Sequence, residues 1–173
     1  LKSRQQGFTT LITAIQLCLL LTQEGFKGTT VAHLKDATAN IFENRAKLIY
    51  ENIPENLKHL PKRSNARELT VEETGGTWNC FTAGSKDSAR SITLNFVHGS
   101  ERAFWANALA NKASITSALA PHSIEIYETT ANGFNDFKDE WDDAVAGNTD
   151  FIPYFSYWFR QPDARDPFFD PRL

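Results

Sequence analysis

Apolar positions along the chain fall into helical and strand-like runs separated by clear breaks. From Thr9 to about Gln23 nearly every side of a helical wheel is apolar, which predicts a helix buried on more than one face. Gly25 and Gly28 end that run. Thr29-Thr-Val-Ala-His-Leu34 is short and β-branched and predicts a strand. Asp36 is placed to cap a helix reaching about Leu57. Ile41 and Leu48, and Phe42, Ile49 and Ile53, stand there at helical spacing, and Pro54 marks a kink or early stop. Leu60 to Ala66 reads as a polar, basic connection around Pro61. Glu68–Glu72 and Thr77–Thr82 flank Gly75-Gly76 and predict a β-hairpin.

In the second half, Gly84 to Arg90 is a loop by composition. Ser91-Ile-Thr-Leu-Asn-Phe-Val97 alternates and then turns apolar, the pattern of a buried strand. Phe104 to Leu119 is helical and stops before Pro121, and Ser123–Tyr127 is a further strand followed by a turn through Gly133. Asp136 to Ala146 predicts a helix with Phe137 and Trp141 on one side and Gly147 at its end. Phe151–Phe155 reads as a last strand, and the tail from Gln161 carries Pro162, Pro167 and Pro171. No internal repeat appears. Strands alternating with helices predict one α/β, mostly parallel sheet flanked by helices, with a β-hairpin insertion.

Composition narrows the class. The chain has 173 residues, 41% hydrophobic and 23% charged, which excludes a disordered or collagen-like chain. Eighteen Lys+Arg against 21 Asp+Glu leave a net charge of −3, which argues against a nucleic-acid-coating protein but leaves room for a local basic patch. Leu11–Leu21 is too short to span a bilayer, carries Gln16, and lacks the marks of a signal peptide, so no membrane role and a cytoplasmic location are expected. Cys18 and Cys80 both read as small buried hydrophobes in a reduced protein. Leu at position 1 and the absence of Met predict an excised or processed chain.

Three segments carry candidate chemistry. Lys2-Ser-Arg-Gln-Gln-Gly-Phe-Thr-Thr10 precedes the first helix, where a P-loop would need backbone N–H groups on phosphates, a cation, and a hydroxyl for Mg²⁺. Gly7 and Thr9 stand at the second Gly and the Ser/Thr of that pattern. Phe8 replaces the usual Lys, and Lys2 and Arg4 are the cations available at the front of the loop. Leu94-Asn-Phe-Val-His-Gly-Ser-Glu101 is a strand ending in a carboxylate suited to orienting an attacking water, although Ser100 stands where a second acid would support the metal. Glu128-Thr-Thr-Ala-Asn-Gly133 follows the next strand, where Thr and Asn side chains can sense a γ-phosphate or simply build a turn.

These residues, with Val31-Ala-His33 and His98-Gly-Ser-Glu-Arg-Ala-Phe-Trp105, resemble the ATPase domain of the large terminase subunit of tailed bacteriophages and prophages, the DNA-packaging motor. The segment from Phe151 to Phe159 and Gln161-Pro162 is similar to the stretch leading out of that domain. The resemblance implies a three-layer P-loop NTPase-like fold over residues 1–160, incomplete at its N-terminus, with 161–173 as a linker toward an absent nuclease domain. It implies an ATP hydrolase. Lys2, Arg4, Gln5, Gln6, Gly7, Phe8, Thr9 and Thr10 would bind ATP, and Glu101 and Arg4 would be catalytic. Thr9 and Glu101 would serve Mg²⁺, the latter indirectly, and Thr129, Thr130 and Asn132 would couple hydrolysis to movement. Double-stranded DNA, a portal protein, a small terminase subunit and a homo-oligomeric ring in the bacterial host cytoplasm are the implied partners and setting. A non-catalytic, truncated prophage remnant and another P-loop translocase of helicase type are the alternatives.

Other charged groups read more plainly. Lys58, His59, Lys62, Arg63 and Arg67 suit a solvated loop better than a DNA contact. Arg90 would be a surface side chain or an arginine finger. His98 is expected as a strand-end hydrogen-bonder, and Asp136, Asp139, Glu140, Asp142 and Asp143 as a solvated helix face.

Overall fold

A computed structural model of the chain describes residues 1–65, 67–85 and 93–160. The described strands are β1 (Lys27–Ala32), β2 (Pro61–Ser64), β3 (Glu68–Val71), β4 (Thr77–Thr82), β5 (Leu94–Ser100) and β6 (Leu119–Glu128). They form one sheet in the order β2-β3-β4-β1-β5-β6. β4, β1, β5 and β6 run parallel, while β3 is antiparallel to β4 and β2 antiparallel to β3. The helices are α1 (Phe8–Thr22), α2 (Lys35–Ile41), α3 (Leu48–Glu51), α4 (Ala108–Thr116) and α5 (Asp136–Ala146), with a π-helical stretch Phe42–Lys47 joining α2 to α3.

Apolar burial occurs on both sheet faces. Ile12, Leu17 and Leu20 of α1, together with Phe42, Ala46 and Tyr50, meet Leu69, Val71, Trp78, Cys80 and Phe96 of the sheet. Val31, Leu94 and Val97 turn to the opposite cluster with Trp105 and Ile115, the latter on α4. A parallel sheet needs such double cover because both faces are apolar. The expected α/β architecture and its hairpin are therefore present, and Gly75 turns the hairpin at φ 63°.

Several boundaries depart from the sequence pattern. Pro61–Ser64 is a strand rather than a connection. All four of its residues are exposed, so backbone pairing with β3 makes it a strand without any apolar alternation to announce it. The long helix ends at Glu51, and Pro54 precedes a 3₁₀ turn at Glu55–Leu57. β6 begins at Leu119 and carries Pro121 on the sheet edge, where a missing N–H is tolerated. His122 at φ 61° accompanies the register shift there. Phe151–Phe155 is not a strand: only Ser156 forms an isolated bridge, with Lys2.

Helix α1 is buried on one face rather than more. Ile12, Thr13, Gln16, Leu17, Leu20 and Leu21 are buried, whereas Leu11, Ile15 and Cys18 are exposed. Cys18 is thus no core residue; Cys80 is. Gln16 is accommodated inside by accepting a hydrogen bond from Thr30 Oγ1 at 2.9 Å. Among the described residues no helix is long and apolar enough to cross a membrane.

Candidate functional site

Three elements converge at the carboxyl ends of the parallel strands, where open α/β sheets bind ligands. They are the loop ahead of α1, the end of β5 and the end of β6. The backbone pins the loop to the sheet: Lys2 N–H donates to Thr129 O at 3.0 Å and Ser3 N–H to Ser156 O at 3.3 Å. Gln5 at φ 59° and Gly7 at φ 75° turn the chain into α1.

The turn holds Lys2 between two carboxylates. Its Nζ lies 2.9 Å from Glu101 Oε1 and 3.1 Å from Glu128 Oε2, with its side chain only 9% exposed. Burial alone would lower the Lys2 pKa, but Glu128 and Glu101 outweigh it and raise it above the ordinary value. Glu128 is itself buried, which opposes its charge. His98, Lys2 and the Ser100 hydroxyl prevail and hold its pKa at about 2. Glu128 Oε1 accepts hydrogen bonds from Ser100 Oγ at 2.8 Å and Thr9 Oγ1 at 2.9 Å. His98 Nε2 stands 3.5 Å from the same oxygen, and neither ring nitrogen of this fully buried side chain makes a hydrogen bond. His98 therefore faces Glu128 rather than acting as the expected strand-end hydrogen-bonder.

Glu101 has left-handed backbone, φ 50° and ψ 51°, a strained conformation for a residue with a side chain. Its Oε2 accepts from Thr130 N–H at 3.0 Å, Thr130 Oγ1 at 3.2 Å and Thr129 Oγ1 at 3.4 Å. The turn after β6 thereby grips the carboxylate that ends β5. Asn132 does not reach it; its Nδ2 donates to Ala103 O at 2.9 Å.

The structure thus brings Lys2, Thr9, Glu101, Thr129 and Thr130 together. Arg4, Gln5 and Thr10 are exposed and form no part of this cluster. Gln6 Nε2 instead donates to Tyr157 O at 2.8 Å, and the Phe8 ring packs 6.1 Å from that of Tyr154. Arg90 and residues 161–173 lie outside the described residues. Of the basic group, Lys58 and Arg63 pair with Glu55 and Glu68, and His59 Nδ1 lies 3.7 Å from Glu73. Glu140 is not a solvated-face residue: it pairs with fully buried Arg102 and with Lys112.

Glu128 is the member that sequence reasoning did not assign. Its motif was visible, but its position depended on β6 extending one residue past Tyr127 so that Glu128 pairs in register with Ser100. For a metal, the donors present are a hydroxyl and carboxylates, hard oxygen ligands of the kind Mg²⁺ takes. Glu128 Oε2 accepts no hydrogen bond and has the Lys2 ammonium at 3.1 Å, so it already stands as a cation-binding oxygen. The residues fit Mg²⁺ in that sense. No preformed group of three His, Cys, Asp or Glu ligands occurs among the described residues.

The same architecture occurs in solved structures. The large terminase ATPase domain of Thermus phage P74-26 superposes with TM-score 0.61 at 17% identity, covering 81% of this chain and 61% of that one. The large terminase of bacteriophage HK97 gives TM-score 0.69 at 18% identity, covering 89% and 33%. The fold is that of a large-terminase ATPase domain. A third large terminase, from a thermophilic bacteriophage and in complex with ADP, matches with TM-score 0.60 at 18% identity, over 84% of this chain and 37% of that one. No family model matches the sequence. The chain spans less than two thirds of each of these terminases, and at this identity the likeness establishes the terminase-like fold alone.

Proposed function

We propose that the chain is an ATP-hydrolysing motor domain of a DNA-packaging terminase. The observation that carries this reading is the meeting of Lys2, Glu101 and the Thr129–Thr130 turn at the strand ends, beside the N-terminus of α1. The ADP complex of the thermophilic bacteriophage's terminase supports a nucleotide as ligand of this fold.

In this mechanism the amides from Gln5 to Thr10 and the positive end of α1 receive the phosphates. Lys2 leaves its carboxylates to neutralise the phosphoryl oxygens, and Arg4 swings in from the surface. Thr9 presents its hydroxyl to Mg²⁺, which supplies charge neutralisation on the phosphates when bound. Glu101 accepts a hydrogen bond from water and directs it at the γ-phosphate. Because Thr129 and Thr130 hold the second oxygen of Glu101, any displacement of that carboxylate is felt in the turn, and through Asn132 in Ala103. That linkage is the proposed route from hydrolysis to movement. Double-stranded DNA, a portal protein, a small terminase subunit and a homo-oligomeric ring in the host cytoplasm belong to this reading as well. Within it, residues 1–160 are the ATPase domain and 161–173 a linker.

The test is ATP turnover of Glu101→Gln in the complete terminase. Turnover should fall at least 100-fold with ATP binding retained; turnover near that of the unaltered protein would remove Glu101 from its role. A second reading is a non-catalytic, truncated prophage remnant that neither binds nor hydrolyses ATP, favoured by Phe8 in the place of the usual Lys. Calorimetry with ATP and Mg²⁺ separates the two, since saturable binding excludes the non-catalytic reading.

A further inference from the structure

We propose that Glu128 supplies the carboxylate of the Mg²⁺ shell, taking over from the acid that the β5 strand end lacks at Ser100. This rests on the nucleotide reading above and adds a residue to it.

Ser100 directly precedes Glu101, and a neutral hydroxyl cannot balance a divalent ion. Instead of standing alone it donates to Glu128 Oε1 at 2.8 Å, across the rung of the ladder in which the two residues are partners. Ser100 thus places the carboxylate of the neighbouring strand beside its own position. The same oxygen accepts from Thr9 Oγ1, the hydroxyl assigned to the metal, at 2.9 Å. One hydroxyl and one carboxylate, completed by water and phosphate oxygens, is a usual Mg²⁺ arrangement.

Two further observations favour a cation beside Glu128. Glu128 is 4% exposed, and its Oε2 accepts no hydrogen bond, having only Lys2 Nζ at 3.1 Å. Lys2 must also serve Glu101, so two carboxylates share one ammonium. A structural acceptor for Thr9 and Ser100 would be equally well met by a neutral Gln. Burying the charge is costly; two hydroxyl donors and an ammonium shared with Glu101 offset it here, and a bound divalent cation would add to them. Glu101 differs: Thr129 and Thr130 occupy its Oε2 and Lys2 its Oε1. It is held in place for water by three donors on one oxygen, while Glu128 Oε2 has only Lys2 beside it and is freed for metal once Lys2 turns to the phosphates.

Two separate measurements on the full chain test this. Metal-free affinity is read with a fluorescent ADP analogue in EDTA, and protein-bound Mn²⁺·ADP is read by electron paramagnetic resonance. Glu128→Gln should weaken Mn²⁺ uptake by about 10-fold or more and change metal-free ADP affinity by less than about 3-fold. Glu101→Gln should alter Mn²⁺ uptake by less than about 3-fold, and the double variant Ser100→Asp/Glu128→Gln should restore most of it. If Glu128→Gln does not fold by circular dichroism, Glu128→Asp, which withdraws the charge by one methylene, should show the same selective weakening. Mn²⁺ uptake unchanged in the folded Glu128 variant, with ADP still bound, overturns the proposal and leaves the nucleotide reading standing. Absence of ADP binding to the unaltered chain, with and without metal, overturns both.

Discussion

Replacing Lys2 by Met tests whether the ammonium clamp holds the site together. Lys2 Nζ is 2.9 and 3.1 Å from two carboxylates, and the side chains of Lys2, Glu101 and Glu128 are 9%, 23% and 6% exposed. At an effective dielectric constant of about 20, each contact represents about 5 kcal/mol of gross attraction, most of it cancelled by desolvation. Removing one partner of a buried pair costs about 3–5 kcal/mol because the remaining charge is stranded. Glu128 keeps its two hydroxyl donors and Glu101 its Thr130 amide, so the lower end, about 3 kcal/mol, is expected here. The exposed i,i+4 pair Lys47–Glu43 is a control worth only about 0.3–0.5 kcal/mol. Urea unfolding at pH 7.5 followed by circular dichroism measures both, and in thermal unfolding Tm should fall by about 6–12 °C for Lys2→Met. In the double variant Lys2→Met/Glu128→Gln one of the two stranded charges is gone and only Glu101 is left without its ammonium, so the cost should be smaller than the sum by about 1–2 kcal/mol. A loss below about 0.5 kcal/mol for Lys2→Met would mean that water already solvates the ammonium, and the clamp would contribute nothing.

Three further outcomes are expected. A Cβ on Gly99 would lie 2.3 Å from Tyr127 Cδ1 and 3.0 Å from Trp105 Cζ2, two packed rings, so Gly99→Ala should cost about 2–3 kcal/mol in urea unfolding. Cys18 is exposed, whereas Cys80 is buried. Burial raises the Cys80 thiol well above its usual range, opposed only in part by the Thr30 hydrogen bond. Alkylation at pH 8 should therefore label Cys18 in the native protein and Cys80 only on unfolding, as read by mass spectrometry. Asn135 caps α5 by accepting from Phe137 and Lys138 N–H, and its Nδ2 donates to Ala103 O and Asn132 O. Asn135→Ala should cost about 1–2 kcal/mol and speed amide exchange in residues 129–138; unchanged exchange there would separate α5 from the Glu101 turn.

Part of the site was legible in the order of residues, and part was not. Lys2, Thr9, Glu101, Thr129 and Thr130 were each visible as a polar side chain at a strand or helix boundary, and the structure gathers those five. Arg4 and Thr10 were equally visible and remain exposed, because a loop written as a string does not reveal which side faces the sheet. Glu128 and His98 were hidden for a different reason. Their meaning comes from the β5–β6 register and from complete burial, which local spacing does not encode. Arg102 and Glu140, 38 positions apart, form a pair that neither segment announces.

Local chemistry along the chain was enough to determine the α/β class, the hairpin at Gly75-Gly76, the capped helix α5 and the three polar segments, since periodicity and turn residues act over a few positions. Tertiary structure decided what depends on partners distant in sequence. Backbone pairing made Pro61–Ser64 a strand and left Phe151–Phe155 without one. Packing turned only one side of α1 inward. The pairing of β5 with β6 set Glu128 beside Ser100 and Thr9, where burial and one shared ammonium give a carboxylate properties that its place in the sequence does not.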